Sequence, residues 1–171
     1  MDLVRLAIPA AYVRNRVQMS WRDLLFGIDQ ELLDLAAPID FAIEALMANA
    51  TANPTVVDLA GLTAGEDTRP YVERLAIAEP EKAAKETRNK WLYVVLAWIL
   101  EHKDSYAKPL EAVAEVYADF QYPKRIAEFV YYMPSDEPDL GSRELNEARL
   151  YAKWQAYLDE CSSVCASKLG A

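Results

Sequence analysis

The ten-residue run Trp91-Leu-Tyr-Val-Val-Leu-Ala-Trp-Ile-Leu100 carries no polar side chain except the Tyr93 hydroxyl, and it limits what the rest of the chain can do. A short apolar run of this kind fits either a buried strand or a buried helix, so its flanks decide. Pro80-Glu-Lys-Ala-Ala-Lys-Glu86 places a proline at a first helical position and follows it with good helix formers and acid-base pairs. The next breaker is Lys108-Pro109. The pattern predicts a helix from about residue 80 to about residue 102, roughly 34 Å long at 1.5 Å per residue. Trp91, Val94, Val95, Trp98 and Ile99 form one face and Leu92, Leu96 and Leu100 another, so the second half needs cover on most sides. Its apolar part is far short of the roughly 20 residues that cross a bilayer.

The remaining segments are amphipathic and read as helices. Pro9 to Arg16 suggests a short one. Ser20-Trp-Arg-Asp23 has the spacing of a capping box, with Asp in place of Glu, and Gly27 is the expected left-handed stop. Asp34 or a neighbour opens a helix with Ile39, Ala42, Ile43, Leu46 and Met47 inward, ending near Ala50. Asn53-Pro54 gives a cap and a first-turn proline before Val56, Val57 and Leu59, with Gly61 beyond. A further helix over about 69–78 turns Val72, Leu75 and Ala76 inward. After the central run, Pro109 opens a helix with Leu110, Val113, Val116 and Tyr117 inward. Pro123 opens another with Ile126, Phe129, Val130 and Met133 as its stripe. Residues 135–142, with Pro138 and Gly141 among acids, read as loop. The last helix, from about Arg143, carries Leu150, Trp154, Tyr157, Leu158, Cys161 and Cys165 on one face. No alternating strand pattern, linker or repeat signature appears. The expectation is an all-α, irregular single-domain bundle of about seven to nine helices, spanning residues 1–171, around the buried 80–102 helix.

At 171 residues the chain can bury a sufficient core without staples. Its two cysteines read as core residues of a reducing compartment, with no disulfide and no metal, since the one histidine, His102, is remote in sequence. The amino terminus lacks a basic export signal, so the expected location is cytoplasmic, with no membrane association. A net charge of −9 argues against nucleic acid. The charge is also uneven. Four arginines fall in the first 22 residues, whereas the stretch from Asp29 to Glu79 is rich in acids and has only Arg69 and Arg74 as cations. Such a field steers a basic partner.

Two stretches carry a family resemblance. Tyr117–Pro134 contains Tyr-Pro-x-x-Ile-x-x-Phe-Val-x-Tyr-Met-Pro, and Asn146–Leu158 contains Asn-x-x-Arg-Leu-x-x-x-Trp-x-x-Tyr-Leu. Both resemble the carboxy-terminal signature of a bacterial family known only as a domain of unknown function. Ile8-Pro9, Ser20–Leu25 and Lys90–Tyr93 are similar to it as well. The resemblance implies a small acidic bacterial cytosolic protein, of a type often found as a toxin's immunity partner. It brings no catalytic residues with it.

The chain shows no nucleophile-base pair, no Gly-rich phosphate loop and no Cys-x-x-Cys. No catalytic residue and no cofactor is expected. His102, at the end of the central helix, suits a cation at a helix carboxy terminus. Glu111, Glu115 and Asp119 recur on one outward face of their helix and are the candidate docking surface for a basic protein partner, with Asp136, Glu137 and Asp139 of the following loop nearby; a solvated face is the alternative, with a metal site last. Tyr131 and Tyr132 cannot both turn inward on a helix with Phe129 and Val130, so one is expected to be exposed, and the pair is a candidate contact patch, with ordinary burial as the alternative. The reading is a non-catalytic protein-binding protein, possible forms being an immunity-type inhibitor or an adaptor. The alternatives are an enzyme using carboxylates such as Glu128 or Asp119 for acid-base chemistry, and a structural homo-oligomer. The sequence leaves the oligomeric state open.

Overall fold

The computed structural model describes residues 6–49 and 53–169, with side chains placed up to residue 164. Residues 1–5, the position of Ala50 and the Cys165 side chain therefore lie outside the described part. The described residues are all-helical, with eight α-helices and two 3-10 turns, and no strand beyond an isolated bridge between Ile8 and Leu33. No helix among them is long and apolar enough to cross a membrane. They divide into two compact units between Trp91 and Leu92.

The first unit holds α1 (Ala10–Arg14), α2 (Trp21–Asp29), α3 (Ala37–Ala48), α4 (Pro54–Ala60), α5 (Arg69–Ala78) and the beginning of α6 (Ala84–Glu101). The capping box at α2 is present: Ser20 Oγ accepts from Asp23 N at 3.2 Å, and Asp23 Oδ2 accepts from Ser20 N at 3.0 Å. Gly27, in contrast, does not stop the helix. The Trp91 ring lies against its backbone so closely that a Cβ there would overlap the ring. Gly27 is therefore a packing glycine, and the left-handed position falls on Glu31, at φ 54°. Glu31 N donates to Ile28 O and Leu32 N to Gly27 O, the paired bonds of a Schellman stop.

In α3 the inward stripe is narrower than its sequence suggests. Ile39 and Ala42 are buried, but Ile43 is exposed and Met47 is 82% exposed. Asn53 caps α4 through Thr55 N at 2.9 Å, as its sequence indicates. The central helix begins at Ala84 rather than near Pro80. The reason lies just before it, where Glu79 is extended and both Glu79 and Lys82 are engaged at the start of α2.

The second unit takes the rest of α6, a 3-10 turn at Lys103–Ser105, α7 (Pro109–Asp119), a 3-10 turn at Lys124–Phe129, and α8 (Arg143–Leu169). From Leu92 to Ala97, and again at Ile99, α6 is buried, so the apolar run is a core helix. Trp98 is only partly covered. It stacks on His102 with ring centroids 3.9 Å apart, and His102 Nδ1 lies 2.8 Å from Trp98 O. The α-helix expected after Pro123 is a 3-10 turn instead. With three residues per turn, Ile126 and Phe129 eclipse and both are fully buried. Phe129 stacks on Trp154 of α8 at 6.3 Å and meets Tyr157 at 5.8 Å. After Val130 the helical path ends, which frees the two tyrosines that follow.

Candidate binding surface

On α7 the buried side is Ala112, Val113, Val116 and Tyr117, which leaves Glu111, Glu115 and Asp119 together on the exposed side. Their charges are not equivalent. Lys108 Nζ reaches Glu111 at 2.7 Å, whereas Glu115 and Asp119 have no ion-pair partner among the described residues.

The end of α7 is built by strained backbone. Gln121 and Tyr122 both have positive φ, 65° and 57°, although neither is glycine. Tyr122 N donates to Tyr117 O at 2.8 Å and Gln121 N to Ala118 O at 3.0 Å, which closes the helix tightly. Left-handed non-glycine residues cost on the order of 1–3 kcal/mol each and persist where the surroundings over-determine them. Here the turn brings the Tyr122 ring edge-on to Tyr117, 5.3 Å away at 84°. Tyr117 also meets Tyr132 at 6.4 Å, and Tyr132 meets Tyr131 at 5.4 Å and 85°. Edge-to-face geometry of this kind is attractive between aromatic rings. The outcome is a continuous group of four tyrosines in which Tyr117 is buried while Tyr122, Tyr131 and Tyr132 are 61, 52 and 51% exposed. Partial desolvation, together with Tyr117, Tyr122 and Tyr131, raises the Tyr132 phenol above its ordinary value, so it remains a neutral hydroxyl at physiological pH.

The acids of the loop are spent differently. Glu137 accepts Lys153 Nζ at 2.7 Å and Arg149 Nε at 3.2 Å. Asp139 accepts from Asn146 Nδ2 and Gly141 N, each at 2.8 Å. These bonds hold both carboxyls below their usual range, Glu137 chiefly through Lys153 and Asp139 chiefly through Asn146. They also tie the loop to α8. Asp136 is exposed. Glu128, the alternative acid-base candidate, is exposed with Lys153 4.0 Å away, and Asp119 is exposed as well.

Sequence reasoning missed a second constellation, in the first unit. Asp23 is fully buried, and its carboxylate accepts from Lys90 Nζ at 2.7 Å, Lys82 Nζ at 3.0 and 3.1 Å, Thr87 Oγ1 at 2.6 Å and Ser20 N. Burial alone would raise its pKa, but these hydrogen bonds outweigh it and hold the carboxyl far below the ordinary range. Burial lowers Lys90, against the pull of Asp23. The Trp91 indole donates to Asp23 O at 2.7 Å, and the Glu79 carboxylate accepts from Trp21 N and Arg22 N at the α2 amino terminus. The lysines and Thr87 are turned to Asp23, and Glu79 already fills the place at the α2 amino terminus that an anion would take. This network fastens α2 to the start of α6. Its signal in the sequence is thin, since Asp23 reads as a capping residue and Lys82 as one of the acid-base pairs of a helix start.

The profile of a family described as uncharacterized proteins conserved in bacteria, DUF2247, matches residues 10–162. The chain belongs to that family. Neither the curated proteins nor the solved structures contain a match. The matched range includes both the Asp23 network and the tyrosine group, so membership extends across both units of the DUF2247 chain.

Proposed function

We propose that the protein is a cytoplasmic, non-catalytic binding protein whose partner is a basic protein, received on the exposed tyrosines at the end of α7 and on the neighbouring carboxylates of that helix. The tyrosine group carries this reading. Three half-exposed rings are gathered around the buried Tyr117: Tyr122, placed by a turn with two left-handed non-glycine residues, and Tyr132 each meet it, and Tyr131 meets Tyr132. Interfaces are enriched in tyrosine because it offers a large rigid surface and a hydroxyl together. Glu115 and Asp119 supply unpaired negative charge beside it, and opposite charges accelerate encounter. An immunity-type inhibitor of a basic toxin is the specific form of this reading.

The test is capture from lysate of a bacterium that carries the gene, comparing wild type with two variants, Tyr122→Ser/Tyr131→Ser/Tyr132→Ser and Glu115→Lys/Asp119→Lys. The changed side chains are exposed, so melting temperatures should stay close to wild type. The tyrosine variant should lose the partner. The lysine variant should bind it about 10- to 1,000-fold more slowly, the spread seen among mutants of one interface, and the wild-type rate should fall with salt. Equal recovery by all three proteins at low and high salt would remove the proposal.

A further inference from the structure

Tyr122 and Tyr132 both lean on the buried Tyr117, at 5.3 Å and 84° and at 6.4 Å and 59°, and Tyr131 stands at 85° to Tyr132. Rings set at such steep angles meet in corners, with a π face on each wall. The three outer rings are half-exposed, so these walls are open to solvent. An aromatic face carries the negative end of the ring quadrupole and attracts a cation. Elsewhere the chain meets that demand itself: Arg16 lies over Tyr12 at 3.5 Å, Arg74 over Tyr71 at 5.4 Å, Lys103 over Tyr151 at 5.6 Å and Arg125 over Tyr157 at 5.7 Å. No cation among the described residues lies over Tyr117, Tyr122, Tyr131 or Tyr132.

The charges at this end of α7 leave the same opening. Asp119 is the last residue of α7 and shares its exposed side with Glu115, and neither carboxylate has an ion-pair partner among the described residues. Lys108 and Arg143, both close to Tyr131, are held at 2.7 Å by Glu111 and Glu147. Lys124 is exposed two positions after Tyr122, yet it lies over none of the four rings. We infer that the angled rings of Tyr122 and Tyr132 receive, on their open faces, the ammonium head of a lysine side chain of the partner, with Asp119 supplying the counter-charge. The inference rests on the protein-binding reading and names the group by which this surface recognises its partner. A compact ammonium suits a corner because it touches two faces at once, whereas a planar guanidinium stacks on one. Such contacts are individually weak at an exposed site, so this one confers selectivity within a larger interface.

Full-length protein carrying ring-¹³C tyrosine is titrated at constant ionic strength with N-acetyl-lysine amide, with the uncharged N-acetyl-norleucine amide, and with tetramethylammonium, which has the charge but no hydrogen-bond donor. The lysine probe and tetramethylammonium should shift the ring signals of Tyr122 and Tyr132 at roughly 10 to 100 mM, as a single weak contact does. Norleucine should bind about tenfold more weakly, the worth of a cation on two exposed faces. Tyr132→Phe should keep the response of Tyr122 and Tyr132→Leu should lose it, because the site uses a ring face and not a hydroxyl or bulk. Asp119→Asn should weaken the lysine probe by about two- to fivefold, the effect of an exposed ion pair. Equal shifts from lysine and norleucine, silence toward tetramethylammonium, loss in Tyr132→Phe, retention in Tyr132→Leu, indifference to Asp119→Asn, or tighter binding of N-acetyl-arginine amide than of the lysine probe would each overturn the inference. No protein partner is needed, so the two readings fail separately. A failed titration leaves the tyrosine surface standing if capture still depends on the tyrosines, whereas capture that ignores the tyrosine variant removes the protein-binding reading whatever the titration shows.

Discussion

Replacing Asp23 by Asn tests whether the buried network is the main fastening of the first unit. The amide keeps the shape of the side chain but removes its charge, and it turns an N–H₂ group toward a pocket already filled with donors from Lys82, Lys90, Thr87 and Ser20. Both lysines, each less than a third exposed, lose their counter-charge. Breaking one side of a buried ion pair costs about 3–5 kcal/mol, against a total stability on the order of 5–15 kcal/mol for a domain. Urea unfolding at pH 7 should therefore show a large fall in midpoint with an unchanged slope. The same variant predicts a pH dependence. An unfolded Asp titrates near about 3.9, while the folded group is held far lower by its four donors. Because the folded pKa is depressed, the stabilisation is fully present above the unfolded value and declines as pH falls below about 4 toward the folded value. The gap between wild type and Asp23→Asn should narrow over that acid range. A loss below about 1 kcal/mol at pH 7, within the ordinary effect of a point mutation, or a gap that stays constant into acid, would show that the network is incidental.

Two further changes test the corrected helix stops. Gly27→Ala should destabilise the protein by about 1–3 kcal/mol, since the added methyl must displace the Trp91 ring; chemical denaturation measures it, and a neutral result would show that the ring has room. Glu31→Gly should leave stability unchanged or raise it by up to about 1 kcal/mol, because glycine relieves the left-handed strain at the end of α2 but adds freedom to the unfolded chain. A loss of more than that would mean that the Glu31 side chain has a role beyond the turn.

The helical class was legible because the apolar run at 91–100 is flanked by helix formers and because caps such as Ser20, Asn53 and Pro109 mark helix starts locally. Features set by distant contacts were not. Gly27 carries the usual signature of a stop, and only the Trp91 ring packed against it explains a glycine in mid-helix. Pro80 looks like a first-turn proline, yet Glu79 and Lys82 are drawn to α2 and delay the helix to Ala84. The stripe Ile126, Phe129, Val130 and Met133 has the spacing of an α-helix, yet only Ile126 and Phe129 fall in a helical turn, a 3-10 one that sets Phe129 against Trp154. In the candidate surface, the exposed α7 carboxylates followed from periodicity. Tyr122 was missed because its exposure depends on a left-handed turn that no glycine announces, and the loop acids Glu137 and Asp139 gave no hint that Lys153, Arg149 and Asn146 engage them.

Amide hydrogen exchange on the protein with and without its captured partner tests the binding surface most directly. Protection should concentrate on the exposed side of α7 and on residues 117–134, with the Asp23 network unchanged. Protection that bypasses the tyrosines and falls on the exposed Ile43 and Met47 of α3 instead would contradict the account.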